Sequence, residues 1–84
     1  MFVSGRVQGV GFRHWTTREA RALGIQGWVR NVSDGRVEAL LEGTAEAVDE
    51  MLTKLHHGPR LAEVDEVAAQ EEPFTGEYSA FLER

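Results

Sequence analysis

The run Phe2-Val3-Ser4-Gly5-Arg6-Val7, the link Gln8-Gly9-Val10-Gly11 and the unbroken stretch from Phe12 to Leu23 decide the fold. The first is short and apolar and stops at glycines, as a strand does where it feeds a loop. The last has no Gly or Pro and sets Phe12, Trp15, Glu19, Ala20 and Leu23 at helical spacing, with Gly24 placed as a C-terminal cap. Working outward, Ile25 to Asn31 and Arg36 to Glu42 are β-patterned. Between them Val32-Ser33-Asp34-Gly35 carries the Asp-Gly signal of a tight hairpin turn. Thr44 then offers an N-cap hydroxyl and Glu46 a first-turn carboxylate. Val48, Met51, Leu52 and Leu55 form an i, i+3, i+4, i+7 stripe that stops at His57-Gly58-Pro59. Leu61 to Gln70 and Tyr78 to Leu82 are the remaining expected strands, on either side of the polar stretch Glu71 to Glu77.

The order β-α-β-β-α-β with a short C-terminal strand predicts a ferredoxin-like α+β sandwich, two helices covering one face of a mixed sheet. A right-handed crossover through the first helix makes strands one and two parallel, with strand three between them. The loop after Val7 and the end of strand two at Asn31 then share one rim. Eighty-four residues are expected to form a single domain, residues 1–84. With 42% hydrophobic and 27% charged residues the chain can build a core, although a domain this small buries only about 60 to 65% of its unfolded surface. The absence of cysteine excludes disulfide scaffolds, thiol nucleophiles and cysteine-ligated metals, and a cytoplasmic location is the expectation. No apolar run approaches the roughly 20 residues of a membrane helix, and the N-terminus lacks a signal peptide's order, so no membrane partner is expected.

The net charge of −5 argues against a nucleic-acid partner, but its distribution is uneven. Residues 1–36 carry six arginines against two carboxylates, or +4. Residues 37–84 carry three basic residues against twelve carboxylates, or −9. A basic half on an acidic chain points to a confined site for a small anion as readily as to solvated surface charge. The link between strand and helix supplies such a site. Gly9 and Gly11 permit backbone angles that turn successive N–H groups inward, and a concave row of donors at a helix N-terminus binds a phosphate-sized anion. Arg13, in the first helical turn, adds a planar guanidinium able to grip two oxygens. Position 14 is His where the dinucleotide fingerprint needs Gly, and no Gly-Lys-Ser/Thr follows, so neither nucleotide motif is present. On its own, so short a stretch is better read as a tight turn followed by a surface arginine.

Val3-Ser4-Gly5-Arg6-Val7-Gln8-Gly9-Val10-Gly11-Phe12-Arg13 resembles the signature of the acylphosphatase family. Gly27-Trp28-Val29-Arg30-Asn31, followed by Asp34-Gly35-Arg36-Val37 and Gly43, is similar to that family's second diagnostic segment. Pro73-Phe74-Thr75-Gly76-Glu77-Tyr78 extends the likeness over essentially the whole chain. The resemblance implies hydrolysis of small acyl phosphates to a carboxylate and inorganic phosphate, with no metal or other cofactor. It implies that Gln8, Gly9, Val10, Gly11, Phe12 and Arg13 bind the phosphate, and that Arg13 and Asn31 are catalytic, Asn31 orienting the water. The one departure is a first strand with only four residues ahead of Gly5. The residue types suit that chemistry. A leaving carboxylate, whose conjugate acid has a pKa of about 4, needs no general acid, which leaves positioning and charge stabilisation as the protein's task. An Asn amide can accept one water proton bond and donate another without being a base.

Other readings are set against this one. A non-catalytic module that binds an acyl or carbamoyl phosphate, or a partner, is the alternative, because similar domains occur at the front of large carbamoyl-transferring proteins. A ferredoxin-like RNA-binding domain lacks the aromatic pairs and basic sheet face it would need. His14, His56 and His57 have no metal-ligand spacing and read as helix-end decoration. Asp65-Glu66 and Glu71-Glu72 read as solvated pairs, Arg6 and Arg30 as surface charge, and Phe12, Trp15, Trp28 and Phe81 as packing residues. A monomer is the expected state.

Overall fold

A computed structural model describes residues 1–84. The elements are β1 (Phe2–Arg6), α1 (Phe12–Ala22), β2 (Gln26–Asn31), β3 (Val37–Glu42), α2 (Ala45–His57), β4 (Glu63–Ala68) and β5 (Phe81–Glu83). The strands make one mixed sheet in the order β4-β1-β3-β2-β5. β3 is antiparallel to both β1 and β2, which leaves those two parallel with their C-terminal ends on one rim, as the crossover rule requires. No helix is long and apolar enough to cross a membrane.

Period-two alternation drives one sheet face into the core. Val3 on β1, Val29 on β2, Val37 and Ala39 on β3 and Phe81 on β5 are all buried, and Met51 and Leu55 of α2 and Phe12 and Ala20 of α1 close over them. Gly27 sits where β2 and β3 approach so closely that a Cβ would collide with the Leu40 carbonyl. A side chain is excluded there by backbone contact and by its φ of 135°. In α2 the Thr44 hydroxyl accepts from the Ala47 N–H at 3.1 Å, and Met51, Leu52 and Leu55 of the expected stripe pack on the core, joined by Ala47 rather than Val48.

Four expectations shift. In α1 the buried positions are Phe12, Thr16, Thr17 and Ala20, with Trp15 and Leu23 only half-buried, so the packed face is rotated toward two threonines. Glu19 earns its place on the helical spacing through an ion pair to Lys54 of α2 at 3.2 Å rather than through burial. The first strand ends at Arg6, and Val7, though buried, lies beyond it. The fourth strand is trimmed from Leu61–Gln70 to Glu63–Ala68, and the last starts at Phe81 rather than Tyr78. The last strand is fixed by tertiary pairing: Gly27, Trp28 and Val29 of β2 sit opposite Phe81, Leu82 and Glu83, and Arg21 of α1 donates two hydrogen bonds to the Phe81 carbonyl, at 2.9 and 3.2 Å.

Candidate active site

The rim shared by β1 and β2 carries a cavity of about 130 Å³ lined by Val7, Gly9, Gly11, Phe12, Arg13, His14, Asn31 and Glu83. Its floor is the start of α1. Gly9 and Gly11 both adopt left-handed backbone angles, φ 74° and 76°. A Cβ at either would meet nothing within 4 Å, so conformation rather than crowding is what demands glycine here. Gly11 is also the N-cap of α1, and being glycine it offers no side chain to the first-turn amides, nor does that turn hold any acidic residue. The contrast with α2, capped by Thr44 and carrying Glu46, is chemical: one helix satisfies its own N-terminus, whereas the other leaves the positive end of its dipole and its orphan N–H groups facing a cavity.

Arg13 is held from the far side. Its Nη1 donates to the Arg84 backbone oxygen at 2.6 Å, which uses one of five guanidinium protons and leaves the others free. Its carbonyl accepts from the Thr17 hydroxyl at 2.8 Å. Asn31, the last residue of β2, is exposed at the same rim, so two residues eighteen apart in sequence meet at one cavity because β1 and β2 are parallel. Of the remaining loop positions, Phe12 lines the cavity and is also buried in the core, its ring packed against that of Trp15. Gln8 and Val10 do not line it. Val10 packs against the core, and the Gln8 amide donates to the Val32 and Arg36 carbonyls at 2.7 and 2.9 Å.

Two residues that sequence reasoning left aside lie here. His14 follows Arg13 on the helix, and its Nδ1 is 3.4 Å from the Glu83 carboxylate, which also lines the cavity. The sequence held no signal for Glu83 or for the Arg84 carbonyl, since both arrive through the pairing of β5 with β2. The six N-terminal arginines do not act together. Arg30 pairs with Glu38 at 2.6 Å, Arg36 with Asp34 at 2.8 Å, and Arg21 is spent on the Phe81 carbonyl. Asp34 is held below its ordinary carboxyl range by the hydrogen bond from the Arg36 side chain. Only Arg13 among the six faces the cavity.

A sequence model described as Acylphosphatase matches residues 1–82. An acylphosphatase of Alcanivorax borkumensis is 58% identical over 71 residues, covering 84% of this chain and 77% of its own. The crystal structure of acylphosphatase from Bacillus subtilis superposes with a TM-score of 0.95 at 35% identity, covering 99% of this chain and 92% of that one. The crystal structure of T. kodakarensis HypF matches with a TM-score of 0.86 at 32% identity, covering all of this chain but 12% of that one. On the match over residues 1–82, the chain belongs to the acylphosphatase family.

Proposed function

We propose that this chain hydrolyses small acyl phosphates and that Arg13, the amides of the glycine loop and Asn31 do the work. The observation that carries the assignment is the unsatisfied N-terminus of α1 opening on the cavity that Arg13 and Asn31 line. The phosphoryl group rests on the first-turn N–H groups and the helix dipole, and the free edge of the Arg13 guanidinium holds its equatorial oxygens. Asn31 accepts one proton bond from water and aims the oxygen at phosphorus, opposite the acyl oxygen. The water oxygen bonds to phosphorus as the phosphorus–acyl oxygen bond breaks, the bonding electrons leave on the carboxylate, and a phosphate oxygen takes the water's proton. A carboxylate is a good enough leaving group that no protein acid is required. The helix amides and Arg13 supply the positive field for charge building on the phosphoryl oxygens. The site thus asks no metal to do so.

Release of inorganic phosphate from an acyl phosphate, beside a phosphate monoester control, tests the reading. Arg13→Gln is expected to abolish turnover and greatly weaken phosphate inhibition, and Arg13→Lys to restore little, because the planar fork is lost. Asn31→Ala is expected to lower kcat by about 10²-fold while phosphate inhibits nearly as before. Near-normal kcat in Asn31→Ala would remove the water-orienting role. The same fold inside the much longer HypF chain favours, as a second reading, a module that binds without turnover, and an absence of phosphate release from the wild type would select it.

A further inference from the structure

We infer that Gln8 is a positioning residue that acts on the reaction through Asn31, an inference that rests on the water-orienting role proposed for Asn31. Gln8 stands in the middle of the loop expected to bind phosphate, yet its side chain reaches across to the β2–β3 turn. Its Nε2 lies 2.7 Å from the Val32 carbonyl and 2.9 Å from the Arg36 carbonyl. Both partners are acceptors, so the amide nitrogen must face them and both of its protons are used. Val32 directly follows Asn31, and the two carbonyls are those that define the turn: Val32 O also accepts from the Gly35 N–H at 3.1 Å and Arg36 O from the Val32 N–H at 2.8 Å. No backbone hydrogen bond joins this turn to the glycine loop, so the Gln8 amide is the hydrogen-bonded link between them. The turn's other tether, the Arg36 guanidinium stacked 4.2 Å from the Phe2 ring centroid, runs to β1 and not to the loop.

The consequence for the site is geometric. The phosphoryl group is placed by the loop and by Arg13, and the water by Asn31 at the mouth of the hairpin. In-line attack requires the two halves to keep a fixed separation, and a misplacement of about 1 Å costs on the order of 10²-fold in rate. Asn31 is exposed and ends its strand, so little else fixes where its side chain stands. Gln8 is suited to set that separation because one side chain holds the turn from inside the loop.

Gln8→Met keeps the length and removes both donors. It is expected to lower kcat roughly tenfold or more, with KM and the phosphate inhibition constant within about twofold of wild type, because the cradle itself is untouched. A double-mutant cycle then separates positioning from general damage: with Asn31→Ala already in place, adding Gln8→Met should change kcat less than about twofold. The inference is overturned if Gln8→Met keeps wild-type kcat, if its effect persists in full on the Asn31→Ala background, or if phosphate inhibition weakens in parallel with kcat. Should Gln8→Met not fold, Gln8→Glu gives the same answer through pH. Its ionised carboxylate has no donor for the two carbonyls and its protonated form has one, so its kcat relative to wild type should rise as pH falls, and a flat ratio overturns the inference. Asn31→Ala alone reports on the underlying mechanism: if it retains kcat, the role of Asn31 fails, whereas loss of kcat there with full activity in Gln8→Met removes only Gln8.

Discussion

Glu83 is the only acidic side chain lining the Arg13 cavity, where the phosphoryl group of the proposed substrate would bring further negative charge. Its neighbour His14, 3.4 Å away, balances it only when protonated. Like charges several ångströms apart at a wet surface repel by about 0.5–1 kcal/mol. Glu83→Gln is therefore expected to tighten phosphate inhibition about two- to fivefold at low ionic strength, with the gain shrinking as salt screens the wild-type repulsion. Inhibition constants measured for both proteins across a salt series check this, and an unchanged constant at low salt would mean that Glu83 does not feel the ligand. Phe12 belongs both to the buried core and to the lining of the cavity, so one residue ties the packing to the candidate site.

α1 does two jobs, and its residues divide accordingly. Its first turn has no side-chain cap toward the cavity, a local cost to helix stability of roughly a few tenths of a kcal/mol relative to a Ser, Thr, Asn or Asp cap. Its middle is pinned by burial, and its last turn by Arg21 reaching the Phe81 carbonyl. Within that middle Thr16 is fully buried and its hydroxyl has no hydrogen-bond partner in the protein. A desolvated, unpaired hydroxyl is unfavourable, and valine has the same shape without it. Thr16→Val is expected to stabilise the fold by about 1 kcal/mol and raise Tm by roughly 4–8 °C, with kcat unchanged. Thermal unfolding followed by circular dichroism measures it, and a lowered Tm would show that the hydroxyl is satisfied after all.

For the molecule as a whole, a net charge of −5 is compatible with the proposed anion site because the field that matters is local. The helix end and Arg13 act at contact distance, while most of the acidic residues lie on α2, β4 and the segment leading to β5. A ligand that binds only the folded state adds about 2.7 kcal/mol of stability at a hundred times its dissociation constant. Inorganic phosphate is accordingly expected to raise the wild-type Tm above that in sodium chloride of equal ionic strength, and to leave Arg13→Gln unmoved. Equal melting temperatures for wild type in the two salts would argue against the cradle.

Much of this was legible in the chain because short-range chemistry dictated it. Gly9 and Gly11 announced a left-handed link, the uninterrupted run from Phe12 announced α1, the Val48, Met51, Leu52 and Leu55 stripe announced most of the packed face of α2, and strand order with crossover handedness brought Asn31 to the rim of the glycine loop. The chain by itself was silent where a side chain's contacts depend on a partner distant in sequence. Gln8 sits inside a phosphate-loop motif, so nothing local distinguishes an amide aimed at phosphate from one aimed at Val32 and Arg36, residues 24 and 28 positions away. The last strand is three residues long and lies at the sheet edge, too short for alternation to fix its register, and only pairing with β2 places Glu83 beside His14 and the Arg84 oxygen against Arg13. The burial of Thr16 and Thr17 rather than Trp15 was equally hidden, since which side of a helix is covered is set by the sheet beneath it. Sequence by itself determined most of the elements, their order and the left-handed backbone of the glycine loop, because these follow from backbone freedom and periodicity; tertiary structure decided the last strand and which side chains face the cavity, because both are a matter of contacts between strands that the chain brings together only on folding.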